Sequence, residues 1–229
     1  MSLILSIDTA IDIAHICIAR DGVILAEASN NDQKEHGAFL QPAINQMLEK
    51  AGIEMSSLNA VAVVAGPGSY TGLRVGMASA KGICYALKKP LISLNTLAVL
   101  TEAAIMTSEL TMPDFDGLYC PMIDARRMEV FTAVYNNNRE PVIPPVALVL
   151  NETSFANIML KYNILYFGNG AIKWKNIVKN SNAHFMEISG NVLAMSKLAA
   201  HKFRLQQFAN LAYEQPYYLK EFYDANTGT

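Results

Sequence analysis

Residues Leu3–Ala28 (LILSIDTAIDIAHICIARDGVILAEA) decide the fold. Three strand-like runs, Leu3–Ile7, Ala14–Ala19 and Val23–Ala28, are joined by the short polar links Asp8–Asp12 and Arg20-Asp21-Gly22. Links this short allow only an antiparallel meander. The period then changes: Leu40, Ile44, Met47, Leu48 and Ala51 make one apolar helix face closed by Gly52, with Pro42 expected in the first turn. A buried strand, Ala60–Ala65, runs through a glycine-rich turn into a helix that reaches Leu87. Strand Leu91–Leu94 and a helix from Thr96 to about Met106 complete a βββαβα unit with one further βα pair.

The second half repeats the order. Leu118–Ile123, Val130–Tyr135 and Val146–Leu150 read as strands, followed by a helix toward Lys161 capped by Thr153 or Ser154. Next come strand Ile164–Phe167, a glycine turn at Gly168 and Gly170, and a helix through Val178. Strand Phe185–Ile188 and helix Val192–Phe208 end the unit. Asp8 and Asp124 close the first strand of each half, and Gly66 and Gly168 the fourth. The expected fold is α/β, two duplicated βββαβα lobes of the actin/Hsp70/sugar-kinase (ribonuclease H-like) type. The lobes divide at 1–108 and 109–229, with the last helix and tail packing back on the first lobe. Fold alone does not give an activity.

Composition limits the function classes. The chain has 229 residues, 52% of them hydrophobic and 17% charged, which excludes an intrinsically disordered chain. Eighteen Lys and Arg stand against twenty Asp and Glu, for a net charge of −2, so no basic field covers the surface as a whole. Cys17, Cys84 and Cys120 form neither a zinc-like pair nor a disulfide framework, as expected in the reducing cytoplasm. Asp8 and Asp12 interrupt the apolar start, which reads as strands rather than a secretory leader. No run approaches the about 18 apolar residues that span a bilayer, so no membrane association is expected.

In this fold a nucleotide lies between the lobes, its phosphates gripped by the first hairpin of each. Such a grip needs close backbone N–H groups, and glycine usually permits that approach. Hairpins Asp8–Ile13 and Asp124–Met128 contain no glycine. Asp8 and Asp124 either cap turns or keep a ligand duty. The densest local signal is Ala65-Gly66-Pro67-Gly68-Ser69-Tyr70-Thr71-Gly72-Leu73-Arg74. Its third glycine, Gly72, comes one place late for a dinucleotide fingerprint, and Leu73 replaces the lysine of a Walker loop. Pro67 and Gly68 therefore make a turn, and Ser69 or Thr71 caps a helix. Along that helix Gly72, Gly76 and Ala80 form a stripe with Ser79 beside it. Glycine inside a helix costs about 1 kcal/mol, so the stripe implies close packing, either within the lobe or against another chain.

Other catalytic patterns are missing. His15, His36, His184 and His201 show no H-x-x-x-H spacing, so no metal site is expected, and there is no G-x-S-x-G elbow. Cys84 reads as core, His36 as a cap or packing residue, and Arg126-Arg127 as a solvated turn.

The run Gly66–Gly76 (GPGSYTGLRVG) followed by Ala80-Lys81-Gly82 resembles the TsaB (YeaZ) family, long labelled glycoprotease-like or peptidase M22-like. Ile7-Asp8-Thr9, His36 with Leu40 and Pro42, Asp124-Ala125-Arg126-Arg127 with Glu129-Val130, and Pro216–Lys220 extend the match over most of the chain. The loop is also close to that of the catalytic paralogue TsaD. The TsaD H-x-x-x-H iron site has no counterpart here, because Ser93–Ala98 holds no histidine. The resemblance implies a non-catalytic subunit that activates a TsaD-like partner for N6-threonylcarbamoylation of the adenosine 3′ of the anticodon in ANN-reading tRNAs. It implies no catalytic residues, a TsaE-like ATPase as third member, homodimerisation when alone, and contact with tRNA only through the complex. The implied partner face is His36, Leu40, Ile44, Met47, Gly72, Arg74, Gly76, Ser79 and Ala80. No tightly bound cofactor is expected; a vestigial nucleotide site would use Asp8, Thr9, Asp124, Gly168 and Gly170, and ATP or ADP would sit at the junction with the partner. Lys220 stands where the family commonly has Arg, which puts any bidentate role there in question. The alternative is a small nucleotide-binding or nucleotide-hydrolysing enzyme using Asp8 and Asp124 around magnesium.

Overall fold

A computed structural model describes residues 1–32, 35–188 and 192–220. Strands β1 (Leu3–Asp8), β2 (Ala14–Arg20) and β3 (Val23–Asn30) form the expected meander. Helix α1 (His36–Ala51) leads through a single 3-10 turn to β4 (Ala60–Gly66), then α2 (Tyr70–Leu87), β5 (Leu91–Asn95) and α3 (Thr96–Thr111). Strands β6 (Leu118–Asp124), β7 (Glu129–Tyr135) and β8 (Pro141–Val149) make the second meander. Helix α4 (Ala156–Met159), β9 (Ile164–Phe167), α5 (Ala171–Lys175), β10 (Ala183–Phe185) and α6 (Val192–Arg204) follow.

The first sheet has the order β3-β2-β1-β4-β5 and the second β8-β7-β6-β9-β10, the same topology twice. In each, the first strand pairs antiparallel with the second and parallel with the fourth, with Ile7 opposite Val63 and Pro121 opposite Phe167. The central strands read as continuous apolar runs because both faces are covered. Helices α1 and α2 bury Leu40, Ile44, Met47, Met77 and Ala80 against Leu5, Ile7, Ile16 and Val63. Helix α3 separates the sheets: Val99 and Ala103 pack on the first, Leu97, Leu100, Ala104 and Ile105 on the second. This explains why its sequence is apolar on every face. Helix α6 follows the second sheet in sequence but packs Ala194, Met195 and Ala199 into the first. The Ser196 hydroxyl donates to the Gly22 carbonyl (3.0 Å) and Lys202 Nζ to the Ser93 carbonyl (2.7 Å).

The second half departs most from expectation. Strand β8 begins at Pro141 instead of Val146, which the prolines permit because it is an edge strand lacking a partner on one side. Helix α4 is one turn, started by Phe155 in the left-handed region with no side-chain cap; the Ser154 hydroxyl instead accepts the Asn151 N–H (3.0 Å). Helix α5 stops at Lys175, β10 lies at Ala183–Phe185, and α6 ends at Arg204. In the first half, Pro42 falls in the second turn of α1 on its exposed side, where the lost N–H costs least, and α3 continues to Thr111.

Candidate functional site: the interlobe cleft and its two hairpins

The lobes enclose a cleft of about 690 Å³. The β1–β2 hairpin contributes Ala10 to Asp12, and the loop after β4 contributes Gly68 to Thr71. The opposite wall is Ile123 to Arg126, Phe131 and Asn169. Among the described residues, a hydrogen bond from Asn169 Nδ2 to Asp12 Oδ2 (2.8 Å) crosses the cleft.

The glycine loop spends its geometry on the first hairpin. A Cβ at Gly68 would strike the Ala10 carbonyl, one at Gly72 the Thr9 carbonyl, and one at Gly76 the Thr9 hydroxyl. The Ser69 N–H donates to the Ala10 carbonyl (2.7 Å), and the Thr9 hydroxyl donates to the Gly72 carbonyl (2.7 Å). The Ser69 hydroxyl caps α2 by accepting the Gly72 N–H (3.3 Å), as the Ser/Thr choice at this position anticipated. These glycines let a hairpin and a helix end meet backbone to backbone. The Cβ directions of Gly68 and Gly72 point at the Ala10 and Thr9 carbonyls, so both glycines serve the hairpin contact, and Gly68 also borders the open cleft.

Asp8 is fully buried at the end of β1, and its Oδ1 accepts the Ala10 N–H (2.9 Å), the geometry of a turn cap. Asp124 does the same in the second hairpin, accepting the Arg126 N–H (2.6 Å), and also receives Lys173 Nζ (2.7 Å). Partial desolvation works against its charge; the Lys173 ammonium and the Arg126 N–H outweigh that and hold the carboxyl below its ordinary value. Gly168, at φ +92°, lies against the Met122 carbonyl, and Gly170 lies 3.0–3.1 Å from Ile123 and Asp124 backbone when given a Cβ. Both glycines seat the β9–α5 turn on β6. Of Asp8, Thr9, Asp124, Gly168 and Gly170, the set the resemblance implies for a vestigial nucleotide site, Asp124 lines the cleft, Asp8 and Thr9 are buried in the first hairpin, and the two glycines seat the β9–α5 turn.

The residues of the implied partner face divide by burial in this chain. Leu40, Ile44, Met47, Gly72, Gly76 and Ala80 are buried against the lobe's own strands and hairpin, so the small-residue stripe is an internal contact. His36 is 2% exposed and Ser79 half-buried, leaving Arg74 as the outward member of that set. The outer side of α2 instead presents Arg74, Ala78, Gly82 and Tyr85, beside Gly37, Ala38, Gln41 and Asn45 of α1. A Cβ built on Gly82 meets nothing within 4 Å. Helical spacing from Arg74 would have found this second stripe; both stripes are small, so residue size alone did not say which one faces inward. Asn169 was overlooked because it sits between two glycines whose roles looked local. Among the described residues, no group of three His, Cys, Asp or Glu side chains gathers to hold a metal, and no helix is long and apolar enough to cross a membrane.

Two 3-2-1-4-5 lobes around a cleft define the class, a two-lobed protein of the actin/Hsp70/sugar-kinase type whose hairpins are locked onto their own glycine turns. The family profile described as "TsaD: tRNA N6-adenosine threonylcarbamoyltransferase" matches residues 23–222. The chain belongs to this family, in its TsaB (YeaZ) branch. It is 32% identical over 150 residues to the tRNA threonylcarbamoyladenosine biosynthesis protein TsaB of Bacillus subtilis, covering 64% of this chain and 62% of that one. Against the Escherichia coli protein of the same name it is 30% identical over 139 residues, covering 61% and 57%. The chain thus spans about three fifths of the length of these relatives. The structure of YeaZ from Pseudomonas aeruginosa superposes with a TM-score of 0.77 at 20% identity, over 96% of this chain and 100% of that one, a likeness of fold.

Proposed function

We propose that this chain is a non-catalytic subunit that binds and activates a TsaD-like catalytic subunit for N6-threonylcarbamoylation of the adenosine 3′ of the anticodon in ANN-reading tRNAs. Its relatives' names support the pathway. The observation that carries the subunit reading is the pair of hairpins without a glycine, Asp8–Ile13 and Asp124–Met128, the first of them tied by its Thr9 and Ala10 backbone to Gly72, Ser69 and Gly68. A lobe with that contact keeps the architecture and gives up the grip. The docking face is the outer side of α1 and α2. Its small residues Ala38, Ala78 and Gly82 allow a partner backbone to come close, and Arg74 and Tyr85 supply the side-chain types that dominate interface energetics. A TsaE-like ATPase joins the pair, and any ATP or ADP in the assembly sits at the junction. Alone, the chain pairs with itself through the same face. The setting is the cytoplasm, where the tRNA is.

The test is a reconstituted modification assay with the TsaD-like protein of the same genome, threonylcarbamoyl-AMP and an ANN-reading tRNA. Product formation that requires this chain, and survives Asp8→Asn and Asp124→Asn, is expected. Equal product without the chain, or turnover of ATP by the isolated chain that Asp8→Asn abolishes, refutes the proposal.

A further inference from the structure

After α6 the chain runs along the first lobe. Ala209 bridges to Leu91 of β5, its N–H donating to the Leu91 carbonyl (2.8 Å). Lys81 Nζ of α2 then donates to the Glu214 carbonyl (2.9 Å) and the Ala212 carbonyl (3.4 Å), guiding the tail along the first lobe. The Tyr217 N–H donates to the Ala65 carbonyl (2.7 Å) at the end of β4, and the Tyr217 carbonyl lies where a Cβ on Gly66 would be. Gly66, at φ +122°, is therefore glycine for two reasons: its backbone conformation and the tail lying on it.

Beyond this point the tail crosses the cleft mouth. The Tyr218 ring lies 5.3 Å from that of Tyr70, Arg74 Nε donates to the Tyr218 hydroxyl (3.2 Å), and the Arg74 guanidinium sits 3.9 Å above the Tyr70 ring. Two residues on, Lys220 Nζ meets both carboxylate oxygens of Glu129 (3.0 and 3.1 Å) on β7 of the second lobe. Tyr217 to Lys220 thereby roof a space of about 360 Å³ that shares Gly68, Tyr70, Ala125, Arg126 and Phe131 with the main cleft. Away from the tail the lobes share α3; around the cleft they are joined by this tail, by the Asn169–Asp12 bond and by Ile11 of the first hairpin, which packs against the second lobe's core.

We propose that Tyr217–Lys220 is a strap that fixes the opening of the interlobe cleft, so that a segment of this chain does what a bridging ligand does in two-lobed clefts. Two bodies joined at one end rotate about that end unless something spans the other. Here the spanning contacts are aromatic on the first lobe and ionic on the second, and they come from four consecutive residues. The inference stands apart from the partner reading and concerns the isolated chain.

The experiment is a spin-label distance measurement between Lys50→Cys on α1 and Lys161→Cys beyond α4, both exposed. Selective labelling is available because Cys17, Cys84 and Cys120 are buried and burial pushes their thiols up, to about 12, 11 and 12. A narrow distance distribution is expected for the parent, unchanged by magnesium and ATP. Tyr218→Ala and Lys220→Ala should each raise the population of longer distances, by about fivefold for the aromatic change. The swap Lys220→Glu with Glu129→Lys should restore the narrow distribution, which a merely packed tail would not do. Lys220 is exposed, so its variant keeps the fold even if Tyr218→Ala does not. A broad distribution in the parent, or no change in Lys220→Ala, overturns the proposal.

Discussion

Gly72 meets the Thr9 carbonyl so closely that a methyl group has nowhere to go, since the atom opposite is backbone rather than the end of a flexible side chain. Gly72→Ala should destabilise the lobe by about 1–3 kcal/mol, the usual cost of overpacking, read as a lower thermal midpoint with partner affinity per folded molecule unchanged. Gly82→Ala on the outward stripe of the same helix should leave the midpoint equal or slightly raised, because alanine is the better helix former. Two histidines give a pH signature. Burial lowers the pKa of His15 against the pull of Glu27, and of His36 against Asp12 and Asp32, from the ordinary 6.5. The folded chain therefore keeps these rings neutral while the unfolded chain protonates them. Their contribution is complete above 6.5 and falls as pH drops below it toward the folded values. The thermal midpoint should fall as pH drops below the ordinary imidazole value of 6.5, and His36→Gln should flatten part of that slope.

Helix α2 shows how much of an element can be read before its neighbours are known. Its start, its serine cap, its glycine stripe and its length were legible, because a strand, a turn chemistry and a helical period each leave a local mark. Which stripe faces inward was not legible, since Gly72–Gly76–Ala80 and Ala78–Gly82 are equally small and the hairpin that fills the first is some sixty residues away. The short second-lobe helices were misjudged for a related reason. Tyr166, Trp174, Phe155 and Phe185 build an aromatic core with ring centroids 5.5–6.0 Å apart, contacts set by tertiary packing that no local period announces. At this scale Ala78→Arg should leave folding intact and remove binding to the TsaD-like protein, because the added side chain stands on the outer face. Isothermal titration against that partner, beside circular dichroism of the variant, checks both halves.

For the whole molecule, the duplicated element order was the most legible property of all, because two meanders and two glycine turns recur in step. The return of the last helix and tail to the first lobe was legible as well, whereas the cleft walls and the tail's contacts across the cleft mouth were not, since they depend on how the lobes face each other. Tail contacts of the kinds made by Tyr217, Tyr218 and Lys220 are each worth about 0.5–1.5 kcal/mol or less. Such values are enough to set a lobe angle and too small to hold a fold. The −2 charge gives the surface no overall basic field, which is why the proposed subunit is expected to meet tRNA through its complex. Ala78→Arg and Gly76→Leu separate the two faces of α2 in one experiment: size-exclusion chromatography of each variant co-expressed with the TsaD-like protein. The subunit account predicts co-elution of the parent chain with that protein, a folded Ala78→Arg chain eluting apart from it, and a Gly76→Leu chain lost to misfolding. A folded Ala78→Arg chain that still co-elutes at parent stoichiometry would contradict it.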